Sequence, residues 1–283
     1  MNAPLTPADH NRHIAGMTYV YPVMSRRAGG LSIGINFNPN NACNWRCVYC
    51  QVPDLQRGSA PDMDLGKLSA ELNYVLDYVL NGQFFDDYQV PLEQRQIKDL
   101  AISGNGESTS LKSFDQAVAL IGEIGQKWGL FPGCRFILIS NGSLIHQSHV
   151  LQGLKTLAKF DGELWFKIDS ASSEGRELIN HCSMSDRQLL ENLSLASQAC
   201  TTRIQTCMLH FRTAWSDTEK LAYLDLLQRL KDQHIRIAEV LLYSVARQSF
   251  QSEAAEISSY SLEELETMAK AIRALGYGVK VTP

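Results

Sequence analysis

Apolar stretches rich in β-branched residues alternate along the chain with stretches whose apolar residues recur at helical spacing. The first kind predicts six strands, over residues 31–37, 97–103, 135–140, 163–170, 203–209 and 236–243. The second kind predicts helices over residues 64–80, 111–128, 146–158, 186–200, 216–231 and 261–275. Two of the helix starts have the spacing of a capping box, Ser216 with Glu219 and Ser261 with Glu264.

Strands that alternate with helices predict a parallel sheet with right-handed crossover connections. Six strand-helix units rather than eight favour an α/β fold with an open, partial (βα)6 barrel of the TIM type. In such folds ligands bind at the carboxyl ends of the strands, where the following loops meet. The residues that follow each strand are therefore the candidates for a functional site.

The composition is that of a globular protein with a large core, since 45% of the 283 residues are hydrophobic and 20% are charged. No run approaches the ~18 apolar residues of a membrane span, and the first residues lack the pattern of a secretion signal. We therefore expect a cytoplasmic protein without a membrane partner. The formal net charge of -4 makes a long nucleic acid an unexpected partner, because proteins that bind one usually carry a basic face.

Three of the seven cysteines lie within the eight residues CNWRCVYC, directly after the first predicted strand. Cys43, Cys47 and Cys50 have the spacing C-x3-C-x2-C, and the other four cysteines form no second pair. Three thiolates from one loop do not complete a structural zinc site, which needs four protein ligands. Three cysteines can instead hold three irons of a 4Fe-4S cluster and leave the fourth iron open. A structural or interaction protein that binds zinc at these cysteines stays an alternative.

This spacing, with the aromatic residue Tyr49 before the last cysteine, resembles the radical S-adenosylmethionine superfamily. The resemblance implies a 4Fe-4S cluster on Cys43, Cys47 and Cys50, with S-adenosylmethionine on the open iron and Tyr49 on its adenine side. It also implies an electron donor such as flavodoxin or ferredoxin. Reductive cleavage of S-adenosylmethionine would then give a 5′-deoxyadenosyl radical that abstracts hydrogen from a substrate. A barrel that binds S-adenosylmethionine without radical chemistry is a second alternative.

The next two strand ends carry motifs similar to those of the superfamily, in the same order along the chain. The sequence SGNGEST resembles the Gly-Gly-Glu type of motif that holds the methionine ammonium, and ISNGS resembles its Ser-Asn-Gly turn. Each motif alone also fits an ordinary turn. The cofactor contacts that these two motifs imply are Gly104, Asn105, Gly106, Glu107, Ser140 and Asn141.

The last three predicted strands supply five more candidate cofactor contacts. Lys167 and Asp169 alternate with apolar residues and are expected to face the barrel interior together, either at the cofactor or as a structural ion pair. Gln205 lies among apolar neighbours on the fifth strand. On the sixth strand, the resemblance implies that Leu242 and Tyr243 pack against the adenine.

The resemblance covers residues 31–245 as the core, with residues 1–30 as an N-terminal extension and residues 246–283 as a C-terminal loop, helix and short strand. Within the superfamily, NFNPNNACNWRCVYCQ and SGNGES most resemble the wyosine-base synthetases, which modify transfer RNA. Those enzymes carry a second cluster on upstream cysteines, and no cysteine precedes Cys43 here. The expected substrate is therefore a small molecule or a modified base or residue, between walls formed by residues 171–185, 247–260 and 1–30.

Overall fold

The computed structural model describes residues 16–25 and 29–283. Its strands are β1 (Val20–Ser25), β2 (Gly30–Ile35), β3 (Ala42–Cys43), β4 (Gln56–Arg57), β5 (Ile97–Ile102), β6 (Arg135–Ser140), β7 (Glu163–Lys167), β8 (Thr201–His210), β9 (Val240–Ser244), β10 (Ser258–Ser259) and β11 (Val279–Thr282). Its helices are α1 (Leu65–Leu80), α2 (Gln83–Asp87), α3 (Phe114–Lys127), α4 (Ser148–Lys159), α5 (Ser173–Asn180), α6 (Asp186–Ala199), α7 (Asp217–Asp232) and α8 (Leu262–Ala274). None of the helices in these ranges is long and apolar enough to cross a membrane.

The strands form one curled sheet in the order β1-β2-β5-β6-β7-β8-β9-β11, and β10 pairs with the end of β8. All neighbours from β2 to β11 along this path are parallel, whereas β1 runs antiparallel to β2. The six predicted strands correspond to β2 and β5–β9 and lie side by side in chain order. The predicted α/β partial barrel is confirmed.

Beyond the six predicted strands the sheet has two edge strands, of which the C-terminal one was expected, and the helices α2 and α5 were not predicted. The antiparallel strand β1 contains Pro22, which an edge strand tolerates because one side of its backbone needs no partner. At the other edge, β11 adds a parallel strand beside β9. The short helix α5 was missed because it buries Arg176, whose guanidinium donates to the carbonyls of Ala171 and Met184. A buried arginine hides the apolar periodicity that identifies a helix.

The inner face of the half-barrel has a separate small apolar cluster. Most of the core lies in one large cluster of buried apolar side chains, to which the helices contribute. Alternate residues of a strand point to opposite faces of the sheet, so a second set of side chains lines the concave side. This set consists of Ala101, Ile137, Trp165 and Leu241, with Ile139 packed against it.

Below this apolar cluster, at the amino ends of the strands, charged side chains of both signs alternate from strand to strand. In sheet order they are Asp99, Arg135, Glu163, Arg203 and Glu239, which we call the floor ring. The Arg203 guanidinium lies 2.7 Å from a Glu163 oxygen and 2.5 Å from a Glu239 oxygen. Arg135 lies 3.8 Å from Asp99 and 3.9 Å from Glu163. The charges at this end of the barrel are therefore paired with one another.

Arg203→Met should lower the free energy of unfolding by about 2 kcal/mol, because it leaves two carboxylates of the floor ring without their closest cation. The Glu163 side chain is only 9% exposed, so water replaces the lost partner poorly. The measurement is denaturant unfolding of both proteins. Arg212→Met removes an ion pair whose two side chains are 54% and 48% exposed, and it should change the stability by less than about 0.5 kcal/mol. Equal losses in the two variants would contradict a structural role for the floor ring.

Candidate active site

A cavity of about 360 Å³ opens at the carboxyl ends of the strands. Its walls come from residues 43–52, from the loops after β5 and β6, and from inward side chains of β7, β8 and β9. This volume lies within the range of ~300–1,000 Å³ that is typical of small-molecule sites. The position is the one predicted for a ligand site in this fold.

The three clustered cysteines all line this cavity. Cys43, Cys47 and Cys50 are partly exposed, whereas the other four cysteines are buried. Burial raises the pKa of Cys43 to about 12 and raises that of Cys47 further above its usual value. Within the described ranges, no group of three or more His, Cys, Asp or Glu side chains is arranged to hold a metal ion. In a 4Fe-4S cluster each thiolate binds a different iron, so three sulfurs need not converge on one ion.

The cysteine loop, residues 43–50, is seated on the carboxyl end of α5. The backbone N-H groups of Arg46 and Val48 donate to the carbonyls of Asn180 and Ile179, at 3.1 and 2.8 Å. The Asn180 amide also donates to Cys47 Sγ at 3.2 Å and to Asp169 at 2.8 Å. Asn180 is fully buried, and it is a site residue that sequence reasoning missed.

A second segment, residues 247–253, braces the cysteine loop from the other side. The backbone N-H of Phe250 donates to the Cys50 carbonyl at 2.9 Å, and Ser249 Oγ donates to the same carbonyl at 3.1 Å. The Arg46 guanidinium makes two hydrogen bonds to Glu253, of 2.9 and 2.5 Å. These bonds lower the pKa of Glu253 to about 2. Parts of two of the three segments expected as substrate walls thus support the cysteine loop, and residues 1–15 and 26–28 of the third lie outside the described residues.

The two predicted glycine motifs meet at the carboxylate of Glu107. It accepts hydrogen bonds from the backbone N-H of Thr109 at 3.1 Å, from Ser140 Oγ at 2.7 Å and from the backbone N-H of Asn141 at 2.7 Å. Glu107 is only 3% exposed although it lines the cavity. This carboxylate therefore fastens the loop after β5 to the end of β6, which places both motifs on one wall.

The glycines of SGNGEST are required by close packing within the protein. A Cβ atom on Gly106 would lie 1.8 Å from the Ala42 carbonyl oxygen, and one on Gly104 would lie 2.3 Å from Asn36 Oδ1. Between them, Asn105 donates to Asn41 at 2.6 Å, and its own Oδ1 is buried without a partner among the described residues. Because Asn105 lines the cavity, this side chain offers an acceptor to a cationic ligand.

Lys167 and Asp169 form the structural ion pair that was one of the two expectations, with 3.7 Å between the ammonium and a carboxylate oxygen, but only Lys167 lines the cavity. The Lys167 ammonium lines the cavity and donates to the hydroxyls of Tyr49 at 2.6 Å and Tyr243 at 3.2 Å. Asp169 is 1% exposed behind Tyr49, whose hydroxyl donates to it at 2.5 Å, and it also accepts from the Cys207 backbone N-H. Burial, reinforced by Asp169, raises the pKa of Tyr49 well above its usual value. The expectation that Asp169 faces the cavity is wrong, because β7 ends at Lys167 and its alternation stops there.

Leu242 is the second correction among the expected contacts. It is 1% exposed and belongs to the large core cluster, whereas Tyr243 lines the cavity. Successive residues of a strand face opposite sides of the sheet, so only one of these neighbours can face the cavity. Gln205 of β8 also lines the cavity, as do Ser140 and Asn141.

Several solved structures have a similar fold, and one of them is named as a radical S-adenosylmethionine (SAM) enzyme. A radical SAM methyltransferase from Sphaerobacter thermophilus superposes with a TM-score of 0.61 and 12% identity, over 93% of this chain and 68% of that one. The FeFe-hydrogenase maturase HydG from Carboxydothermus hydrogenoformans gives 0.53 and 14%, over 88% and 52%. A spore photoproduct lyase mutant gives 0.54 and 13%, over 85% and 74%. At these identities the likeness shows the fold, which is the half-barrel of these enzymes.

This chain spans about half the length or less of the curated relatives that it matches. A UPF0026 protein from Helicobacter pylori is 26% identical over 179 residues, which are 62% of this chain and 51% of that protein. The protein named GTPase Obg from Brachyspira hyodysenteriae is 28% identical over 133 residues, which are 47% of this chain and 17% of that protein. No protein-family model matches the chain.

Proposed function

We propose that the protein is a radical S-adenosylmethionine enzyme in which Cys43, Cys47 and Cys50 hold a 4Fe-4S cluster. The observation that supports this most strongly is that three thiols and two glycine motif loops share one cavity at the carboxyl ends of a half-barrel. The unpartnered acceptor on Asn105 also suits the ammonium group of a methionine moiety. Held by Cys43, Cys47 and Cys50, the cluster would supply the electron for reductive cleavage of S-adenosylmethionine and thus for hydrogen abstraction from the substrate.

The chain's own residues bind and orient the cofactor in this proposal. Asn105 accepts a hydrogen bond from the ammonium of S-adenosylmethionine. Lys167 uses two of its three N-H donors on tyrosine hydroxyls, and its charge attracts the carboxylate of S-adenosylmethionine. The rings of Tyr49 and Tyr243 line the part of the cavity that binds the adenine of S-adenosylmethionine in this proposal. Ser140 holds Glu107 in place, so it positions the wall that carries Asn105.

The cavity also excludes water from a reactive intermediate. Its inner wall is the apolar cluster around Trp165, and the floor ring pairs the charges beneath it. A radical that meets only apolar side chains and paired groups is protected from side reactions. An electron donor such as flavodoxin or ferredoxin remains a prediction, as does the cytoplasmic location.

Anaerobic reconstitution with iron and sulfide tests this function. The expected result is about four irons per chain and formation of 5′-deoxyadenosine when reductant and S-adenosylmethionine are both present. Zinc in place of iron would favour the structural alternative. A reconstituted cluster that yields no 5′-deoxyadenosine would favour a barrel that binds the cofactor without radical chemistry.

A transfer RNA base is the second candidate substrate, supported by the resemblance of NFNPNNACNWRCVYCQ to the wyosine-base synthetases. The net charge of -4 opposes it, because RNA binding gains most of its affinity from basic side chains. Retention of transfer RNA by the protein, measured as a function of salt, decides between the two kinds of substrate.

Asn180→Leu should lower the midpoint potential of the cluster by about 20–60 mV. A hydrogen bond to a cysteine ligand stabilises the reduced cluster more than the oxidised one, because the reduced cluster is more negative. If the bond contributes ~0.5–1.5 kcal/mol, its loss lowers a one-electron potential by about this amount. Asn180 supplies such a bond to Cys47 Sγ at 3.2 Å. A redox titration followed by electron paramagnetic resonance measures the potential. Asn192→Leu is the matched control, since Asn192 is equally buried but donates to the Gly142 carbonyl; an equal shift in both variants would contradict the role of Asn180.

A further inference from the structure

The inner face of the half-barrel has three levels of different chemistry. The floor ring lies at the amino ends, the apolar cluster of Ala101, Ile137, Ile139, Trp165 and Leu241 lies above it, and the cysteine loop with Lys167 lies at the carboxyl ends. The residues to which the proposed function gives a role toward the cofactor all belong to the upper level, whereas Gln205, also an expected cofactor contact, lies at its lower boundary. The middle level is therefore the part of the cavity left for a substrate.

Gln205 brings an amide into this apolar level. In the sheet it pairs with Lys167 on one side and with Leu241 on the other, so it stands where the polar and apolar levels meet. Its side chain lines the cavity, the residue is only 2% exposed, and its amide makes no hydrogen bond within the described part of the chain. The amide atoms of Gln205 are not among the fully buried polar atoms without a partner, so they are open to the cavity, where a ligand with matching groups can bind them.

The charged side chains that line the cavity belong to the floor ring or to the upper level, and each has hydrogen-bond or ion-pair partners in the protein. They are Asp99, Glu107, Lys167 and Arg247. Asp99 accepts from Ser32 and lies 3.8 Å from Arg135, and Glu107 accepts from the donors described above. Lys167 donates to two tyrosines, and Arg247 donates to Gln51 at 3.2 Å. None of these four side chains belongs to the apolar cluster, and with Lys167 assigned to the carboxylate of the cofactor, a charged substrate group placed among the apolar side chains would lose its hydration without gaining a counter-ion.

We infer that the middle level binds an uncharged amide or lactam group of the substrate, with Gln205 as the residue that selects it. The Gln205 carboxamide presents one C=O acceptor beside N-H donors, which matches the C=O and N-H of a second amide through two hydrogen bonds. The apolar cluster then covers the carbon skeleton of that group. This inference rests on the proposed function only in assigning the upper level to the cofactor.

The test uses the full chain and three small probes that share a five-carbon skeleton. The probes are δ-valerolactam, which has both the donor and the acceptor; δ-valerolactone, which has the acceptor only; and 5-aminovalerate, the charged open form. Saturation-transfer NMR titrations measure their affinities. We expect saturable binding of the lactam and at least about tenfold weaker binding of both the lactone and 5-aminovalerate.

Gln205→Leu should weaken lactam binding at least about tenfold, while Gln198→Leu on the exposed face of α6 should leave it unchanged. Lactam binding of equal affinity in the wild type and Gln205→Leu, or binding of 5-aminovalerate as tight as that of the lactam, would overturn the inference. The comparison of lactam with lactone on the wild type tests it even if Gln205→Leu does not fold. None of these titrations needs iron or S-adenosylmethionine. A failure of cluster assembly would therefore contradict the proposed function without changing the outcome of this test.

Discussion

Cys47→Ala should abolish assembly of the 4Fe-4S cluster and reduce formation of 5′-deoxyadenosine to background. Cys47 is the middle ligand of the three, and its sulfur is the one that Asn180 orients. With two protein ligands left, two irons of the cluster would lack a thiolate, and the site would bind the cluster too weakly to keep it. Iron and acid-labile sulfide per chain, with the yield of 5′-deoxyadenosine, measure the effect.

Cys134→Ala is the matched control, because Cys134 is a buried cysteine of the large core cluster and is not among the residues that line the cavity. Its loss should cost some stability through a small cavity but leave iron content and 5′-deoxyadenosine formation intact. If Cys47→Ala keeps a full cluster, or if Cys134→Ala loses it, the assignment of the ligands is wrong.

Gly106→Ala should have the second-largest effect, on both the fold and the cofactor site. The new Cβ would lie 1.8 Å from the carbonyl oxygen of Ala42, so the loop after β5 must separate from the start of the cysteine loop. We expect a loss of about 3 kcal/mol of stability, at the upper end of overpacking costs. The affinity for S-adenosylmethionine should fall at least about tenfold, since Asn105 and Cys43 flank the two residues that clash.

Gly133→Ala is the control for this substitution. A Cβ on Gly133 would lie 3.5 Å from the Leu130 carbonyl oxygen, which is an ordinary contact. Unfolding by denaturant and isothermal titration with S-adenosylmethionine compare the two variants. If Gly106→Ala proves as stable as Gly133→Ala, the loop does not pack against Ala42 as described.

Most of the fold follows from the alternation of strand and helix patterns, because each buried strand of a parallel sheet needs a continuous apolar run. Two elements escaped prediction because their stability comes from contacts that no periodic apolar pattern reveals. The strand β1 depends on pairing with β2 and on Gly34, which leaves room for the Tyr21 ring. The helix α5 depends on the hydrogen bonds of the buried Arg176.

The parts of the candidate site that could be predicted are those in which the functional residues are close together in sequence at a fixed spacing. The cysteines and the loop from Gly104 to Glu107 could be found for this reason, and the structure brings them to one cavity. Asn180 and Glu253 could not, since nothing near them in sequence reveals that they hold the cysteine loop. Asp169 and Leu242 were misplaced because the position of a side chain on a strand depends on where the strand ends and which face it shows.

The reaction cannot be taken from the fold. Structures with the same half-barrel are named as a methyltransferase, a hydrogenase maturase and a lyase. One fold can therefore support many reactions, and the features that distinguish this chain are those of its own cavity. The paired floor ring, the apolar cluster and the lone amide of Gln205 favour a small uncharged group as the target.

The central claim is that three cysteines hold a cluster whose fourth iron is open to S-adenosylmethionine. Electron paramagnetic resonance of the reduced, reconstituted wild-type protein, recorded before and after S-adenosylmethionine is added, tests it most directly. We predict the signal of a reduced 4Fe-4S cluster whose shape changes on addition, because the ligand binds the open iron. A protein without a cluster signal, or a signal that S-adenosylmethionine leaves unchanged, would contradict the claim.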